Sequence, residues 1–299
     1  MKFILDKFYE KTRGFYPFFK YCPHIYQEHY LKRRAYDTLG YEYNWKNPKT
    51  LNEKIRWLVF NEKLDLKTKL TDKIGVKSYV AQKLGKHHSA ELYGIYNNLD
   101  EIDFSILPNS FALKANCGWR MNIFINNKRY IEERYEKVKG ITNKWLKINY
   151  NEFSLEPQYK KINKKLLIEH LRKNNDGSNN YGRKDLQIFC FNGNPLFCEC
   201  QRFNYNQLFA QFYDTDWQLQ DFTHSNELIK EPLFEKPKQY EKILDFARIL
   251  SKEFAFVRVD FTYDNEDIHV VEMTFTPASG MIPFQDKEID LKLGKLLKI

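Results

Sequence analysis

The segment Phe256-Val257-Arg258-Val259-Asp260-Phe261, then Asp264-Asn265-Glu266-Asp267, then Val270-Val271-Glu272-Met273-Thr274, constrains the fold more than any other part of the chain. Two runs of β-branched and aromatic residues around a cluster of turn formers read as a β-hairpin. Each strand carries a carboxylate at its centre, where an apolar residue would be usual. Register decides what that means. An odd loop sets Asp260 across from Glu272 and Arg258 across from Thr274, all on one face. Facing Cβ atoms lie roughly 4.5–5.5 Å apart, where like charges repel unless a cation lies between them. Such a pair suits Mg²⁺, which takes one or two protein carboxylates and completes its shell with water and phosphate oxygens. An even loop puts the acids on opposite faces and leaves a solvated hairpin with unrelated surface charges.

The rest of the chain supplies a body for this hairpin. With 299 residues, 42% hydrophobic and 16% aromatic, it can bury a full core as one large domain or two joined ones. No apolar run approaches the ~20 residues of a membrane span, and Asp6 interrupts any secretory signal, so a cytosolic protein is expected. Five cysteines without metal-ligand spacing read as buried or incidental thiols. Cys198 and Cys200 share one strand face. The net charge of +9 comes from lysines dispersed among acids, without a nucleic-acid-binding signature, so no nucleic-acid partner is expected.

Residues 1–45 form a basic, aromatic-rich leader that either packs on the body or lies on a membrane surface. Residues 46–110 are read as helical: Thr50-Leu51-Asn52-Glu53 is a capping box, and a second helix runs from about Thr71 to Leu84 with Gly85 as its stop. From residue 111 strands and helices alternate. Phe111 to Ile125 is strand, loop, strand; Ile131 to Ile148 is helical; Leu166 to Leu171 is a buried strand. Asp185–Phe191 and Pro195–Gln201 form a hairpin around Asn192-Gly193. Helices are expected near Tyr240–Lys252 and through Leu291, Leu293 and Leu296. The class is α+β with mainly antiparallel strands.

Three further positions carry chemistry. Lys114 sits mid-strand before the turn Asn116-Cys117-Gly118, placed either to meet a phosphate or to snorkel from an edge strand. Glu169, alone among Leu167, Ile168 and Leu171, is either an acceptor for an adenine amino group or half of a salt bridge. Asp72-Lys73 opens a helix as a cap and a surface charge.

Taken in order, these features resemble the ATP-grasp superfamily, and within it the TupA-like branch associated with teichuronopeptide and capsular polysaccharide synthesis. The resemblance runs through Asn47-Pro48-Lys49-Thr50-Leu51-Asn52-Glu53-Lys54-Ile55-Arg56-Trp57, Leu70-Thr71-Asp72-Lys73, Leu113-Lys114-Ala115-Asn116, Ile168-Glu169, Val257-Arg258-Val259-Asp260 and Glu272-Met273-Thr274-Phe275-Thr276-Pro277-Ala278-Ser279-Gly280. It implies two subdomains, residues 111–171 and 172–299, whose sheets enclose ATP. It implies that Lys73 and Lys114 contact the phosphates, that Glu169 binds adenine with Leu171 nearby, and that Gly118, Arg120 and Gln187 border the nucleotide. Asp260, Glu272 and Thr274 would hold Mg²⁺, and Arg258 would steady the transferring phosphoryl group. The implied reaction joins a carboxylate, such as a uronic acid of a surface polysaccharide precursor, to a small amine through an acyl phosphate. Arg202 is a candidate carboxylate ligand.

The chain departs from the branch at two places. Cys117-Gly118-Trp119-Arg120 replaces a run of small residues, and Asp185-Leu186-Gln187 lacks a lysine at its last position, a charge that Arg120 is a candidate to restore. Two other readings stay open: a glycosyltransferase using Asp214-Thr215-Asp216 as a metal-binding Asp-x-Asp, and a basic docking protein for anionic lipid or nucleic acid.

Overall fold

A computed structural model describes residues 24–171, 185–204, 207–224, 228–263 and 267–299. Helix α1 (His24–Leu39) is followed by α2 (Leu51–Asn61), α3 (Leu64–Thr71) and α4 (Lys73–Lys83). The capping box is formed as expected: Thr50 accepts from the Glu53 N–H, and Glu53 reaches back to the Thr50 N–H. Asp72 caps α4 through the Ile74 N–H at 2.8 Å, and the chain turns out of α4 at Gly85, φ +108°. The described part of the leader packs on the body, where Tyr30, Leu31 and Ala35 cluster with Leu155 and Met281. Residues 1–23 lie outside the described residues.

The strands form two antiparallel sheets. In the first, β1 (Leu92–Tyr96), β4 (Leu166–His170), β2 (Phe111–Ala115) and β3 (Asn122–Ile125) are neighbours in that order. One face, with Phe111, Leu113, Leu166 and Ile168, packs on Ile131 and Val138 of α5 (Arg129–Lys147). The opposite face carries Lys114 and Glu169 and looks into the molecule. Short helix α6 (Tyr150–Ser154) precedes β4. Sequence reading missed β1, whose pattern Leu-Tyr-Gly-Ile-Tyr has an interior glycine that weakens a strand signal.

The second sheet has the order β7-β6-β5-β8-β9, from β5 (Asp185–Phe191), β6 (Asn194–Asn204), β7 (Gln207–Asp214), β8 (Phe256–Tyr263) and β9 (Ile268–Thr274). The Asn192-Gly193 hairpin joins β5 and β6, with both turn residues in the left-handed region. Leu186, Ile188, Cys198, Cys200, Val257, Val259 and Phe261 face α7 (Tyr240–Ser251) and form the largest core with Ile243, Leu244, Ala247 and Leu250. The Cys198 and Cys200 thiols lie 3.9 Å apart within that core. On the other face the residue type changes along the strands. Phe189, Phe191, Phe212 and Phe256 are roofed by α2 and by α8 (Lys287–Leu296), whereas Gln187, Glu199, Arg258 and Asp260 are polar. The polar half of this face and the polar face of the first sheet border a common cleft.

Candidate active site

The hairpin register needed a device that the loop alone does not supply. The ladder closes at Tyr263 opposite Ile268, which leaves residues 264–267 as an even loop. Continued without interruption, that register would pair Asp260 with Val271. A β-bulge between Asp260 and Phe261 leaves Val271 as the extra residue, and the ladder resumes with Asp260 opposite Glu272 and Arg258 opposite Thr274. The expected pairing is present, then, but through a bulge rather than an odd loop.

The acids are held by cations. Arg258 donates to both Asp260 oxygens, at 2.7 Å from Nε and 2.6 Å from Nη2, in a bidentate fork. The same Nη2 lies 3.7 Å from Glu272 Oε1 and 3.5 Å from Thr274 Oγ1. Lys73 Nζ lies 3.7 Å from Glu272 Oε2 and donates to the Gly118 carbonyl at 3.2 Å. Burial pushes Glu272 up, but Lys73 and Arg258 outweigh it and hold the carboxyl below its usual range. Burial alone would lower Arg258; Asp260 and Glu272 reverse that and raise it. Two facing carboxylates with a hydroxyl on one face form a donor set that fits a hard divalent ion once Arg258 yields part of Asp260. Among the described residues no group of three His, Cys, Asp or Glu side chains is placed to hold a metal.

On the opposite wall, Lys114 and Glu169 are both buried, and Lys114 Nζ hydrogen-bonds Glu169 Oε1. The second oxygen is taken by Lys77, whose Nζ lies 2.9 Å away. Burial favours the neutral acid, yet the two lysines hold Glu169 down to about 2. The cleft between the sheets is lined here by Lys77, Lys114 and Glu169, and from β8 and β9 by Thr262, His269 and Val271. Lys77 escaped the sequence reading, although it stands one turn after Lys73 on α4, the spacing that puts two side chains on one helix face.

Asn116 joins these parts. Fully buried, it accepts from the Lys165 N–H at 2.8 Å and donates to Asp72 at 3.0 Å and to the Asn163 carbonyl at 2.9 Å. Its own carbonyl accepts from the Lys73 N–H at 2.8 Å. One side chain thereby ties the start of α4 to β2 and β4, and with them Lys73 to Lys114. Gly118, φ +99°, follows; a Cβ there would lie 2.8 Å from Met121 Sδ and 2.9 Å from the Tyr150 ring. Arg120 is exposed and stacks on Trp119, its guanidinium 4.2 Å from the ring centroid. Gln187 stands between Glu199 and Asp260 in register, with a buried Oε1 that has no partner among the described residues. Leu171 is buried at the end of β4. Arg202 pairs with Phe209 in the ladder, and its side chain lies outside the described residues.

Beyond β9 the chain makes a tight turn in which Ala278, Ser279 and Gly280 are all left-handed. Glu156 anchors it, accepting from Thr276 and, at 3.1 Å, from Ser279 Oγ. No local pattern marks Glu156, because the turn that it anchors lies more than a hundred residues away. Asp214 has a different use. Its Oδ1 accepts from the Asp216 and Gln218 N–H groups at 3.0 and 2.8 Å, so Asp214-Thr215-Asp216 is a turn whose first carboxylate serves the backbone.

A buried pair extends the polar row. Glu199 Oε1 lies 2.6 Å from His224 Nε2 and also accepts from Gln201, while Phe212 presents its ring to His224 at 5.9 Å. Burial and Arg258 lower His224, but Glu199 overrides them and raises it; Glu199, which burial would raise, is lowered by His224. The His224 contribution is therefore complete below the unfolded histidine value of ~6.5 and is lost as pH rises through the elevated folded value. Chemical denaturation at stepped pH is expected to show wild-type stability falling through this range, with the fall absent in His224→Gln. Parallel curves would refute the ion pair.

The sequence profile described as "TupA-like ATPgrasp" matches residues 53–298. The chain belongs to the TupA-like ATP-grasp family. No protein of curated function matches it at a significant level. Among solved structures, the D-alanine–D-alanine ligase of Helicobacter pylori is similar at 12% identity, covering 83% of this chain and 67% of that one with a TM-score of 0.45. The enzyme of the same name from Bacillus anthracis is 16% identical over 69% of this chain and 57% of its own, TM-score 0.41. N5-carboxyaminoimidazole ribonucleotide synthetase of Thermus thermophilus is 10% identical, with coverages of 75% and 51% and a TM-score of 0.42. This TupA-like chain thus spans between half and two thirds of the length of these structures. Among its described residues no helix is long and apolar enough to cross a membrane.

Proposed function

We propose that this TupA-like protein is an ATP-dependent carboxylate–amine ligase. The observation that carries the reading is the pairing of Asp260 with Glu272, bridged by Arg258 and faced by Lys73, in a cleft whose other wall presents Lys114. ATP lies between the sheets, with Lys73 and Lys114 toward its phosphates. Asp260 and Glu272, with Thr274 beside them, would hold Mg²⁺, which when bound neutralises phosphate charge and orients the terminal phosphoryl group. The substrate carboxylate oxygen attacks the γ-phosphorus, and the bond to the β,γ-bridging oxygen breaks to release ADP. An amine then attacks the acyl carbon of the acyl phosphate; phosphate leaves and the amide remains. Arg258 stabilises charge on the transferring group, and no protein nucleophile is required.

The family's association with capsular and teichuronopeptide synthesis makes a uronic acid of a surface polysaccharide precursor the preferred carboxylate and a small amino acid or amino alcohol the preferred amine. Peripheral contact with the inner face of a membrane through the leader belongs to the same reading. The test is phosphate release with ATP and Mg²⁺ across a matrix of uronic acids and amines, with hydroxylamine as a trap. Release that requires a carboxylate, together with hydroxamate formation, is expected. Failure of ATP with Mg²⁺ to raise the melting temperature would defeat the reading.

A further inference from the structure

The loop between β2 and β3 leaves a large aromatic side chain in water. Trp119 is 67% exposed, the one exposed tryptophan among the described residues, yet its backbone is held. Gly118 offers its carbonyl to Lys73 at 3.2 Å, and the Trp119 N–H donates to the Tyr150 hydroxyl. The Ala115 N–H closes the loop on the Met121 carbonyl at 2.9 Å. The Tyr150 ring lies against Gly118 and against Tyr159. A broad apolar face kept in water at a defined place is what a stacking partner needs.

Cations border the same loop. Arg120, in the left-handed region at φ +57°, sets its guanidinium 4.2 Å from the Trp119 ring centroid. A guanidinium over a ring covers one face and keeps in-plane N–H donors for a carboxylate. Burial raises the Cys117 thiol, two residues before Trp119, and both Lys164 and Lys73 oppose that rise. Asp72, the acid that also acts on this thiol, is engaged by the Ile74 N–H and by Asn116. Lys73 reaches from the Gly118 carbonyl to within 3.7 Å of Glu272, so Trp119 stands beside the hairpin end of the cleft. A planar base would be satisfied by the ring alone; the neighbouring cations call for a ligand with an apolar face and a negative rim. A uronate pyranose has both.

We infer that Trp119 and Arg120 form a subsite for an anionic saccharide, in which the C–H face of a uronate ring stacks on Trp119 and its carboxylate meets the Arg120 guanidinium. The sugar held there is a neighbour of the one that reacts, since the reacting carboxylate has to reach the γ-phosphate inside the cleft. This inference rests on the ligase reading above and narrows its carboxylate substrate from a free sugar acid to an oligomeric one.

The experiment is titration calorimetry of the full chain with trigalacturonate, galacturonate, neutral maltotriose and, separately, ATP with Mg²⁺. Wild type, Trp119→Ala, Trp119→Phe and Arg120→Gln are compared, with acrylamide quenching of tryptophan emission followed alongside. Both side chains are exposed, so ligand-free melting curves should coincide and report folding. Wild type is expected to bind trigalacturonate more tightly than galacturonate or maltotriose, and to lose part of its quenching as it does. Trp119→Ala is expected to weaken trigalacturonate by about tenfold or more, the scale of an interface tryptophan truncated to alanine. Trp119→Phe should keep most of the affinity while losing the change in quenching, and Arg120→Gln should bring trigalacturonate down toward maltotriose. Trigalacturonate binding unaltered in Trp119→Ala, or equal wild-type binding of trigalacturonate and maltotriose, would overturn the inference. Wild type that binds ATP and no saccharide overturns it alone and leaves the ligase reading. Wild type that binds trigalacturonate through Trp119 but not ATP upholds the subsite and defeats the ligase reading; binding of neither overturns both.

Discussion

The Asp260→Asn substitution is expected to lower ATP-dependent turnover on the order of 10²–10³-fold, the range seen when one preorganised electrostatic contact to a transition state is removed. Asp260 does two things at once. It faces Glu272 across the hairpin, and it neutralises Arg258 through two hydrogen bonds at 2.7 and 2.6 Å. Asparagine keeps the shape but removes the charge a divalent ion needs, and it leaves Arg258 to lean on Glu272, 3.7 Å away. Nucleotide affinity in Mg²⁺ should fall with turnover if Asp260 holds the metal of the nucleotide, as proposed above. Calorimetry with and without Mg²⁺ separates the effects: affinity in EDTA should change little. Full turnover in Asp260→Asn would mean that the hairpin acids do not take part in the chemistry.

The largest effect on stability is expected at Asn52, in the first turn of α2. Its amide donates to Asp290 at 2.7 Å and to the Ile282 carbonyl at 2.9 Å, and its Oδ1 accepts from the Ile282 N–H at 2.8 Å. Asp290 is buried, also accepts from Tyr41 and the Asn52 N–H, and is raised by that burial. Asn52→Ala would strand the Ile282 backbone groups and part of a buried carboxylate at once. At about 1–3 kcal/mol per stranded group, the loss should reach roughly 3–5 kcal/mol. Urea unfolding should show a lower midpoint at unchanged slope. A loss below about 1 kcal/mol would show that water replaces these partners.

Asn52 also illustrates what can and cannot be read in one dimension. Its neighbours Thr50 and Glu53 announce a capping box, because capping is a contact between residues three apart. The helix start was legible and the partner was not, since Asp290 lies 238 positions along the chain. The same division holds at Lys114: its strand and the following turn were legible, whereas the reach of Asn116 to Asp72 and Lys165 came from the fold. Lys77 was missed because a lysine on a helix surface looks alike whether it faces water or a carboxylate. β7 was not legible either: it runs straight into Asp214-Thr215-Asp216, which reads alike as a metal motif and as the turn that ends a strand.

Short-range chemistry set most of the alternation of strands and helices, the caps, the Asn192-Gly193 hairpin and the presence of a carboxylate at the centre of each of two adjoining strands. All of these arise from contacts within a few residues, where side-chain type controls backbone preference. That those carboxylates meet is the work of the fold. The even loop pointed them to opposite faces, and the bulge at Val271 turned them to the same one. It also decided which charges share the cleft, because α4 carries Lys73 to one sheet and Lys77 to the other. A charge has no preferred partner until packing brings one within a few ångströms, and packing is a property of the whole chain.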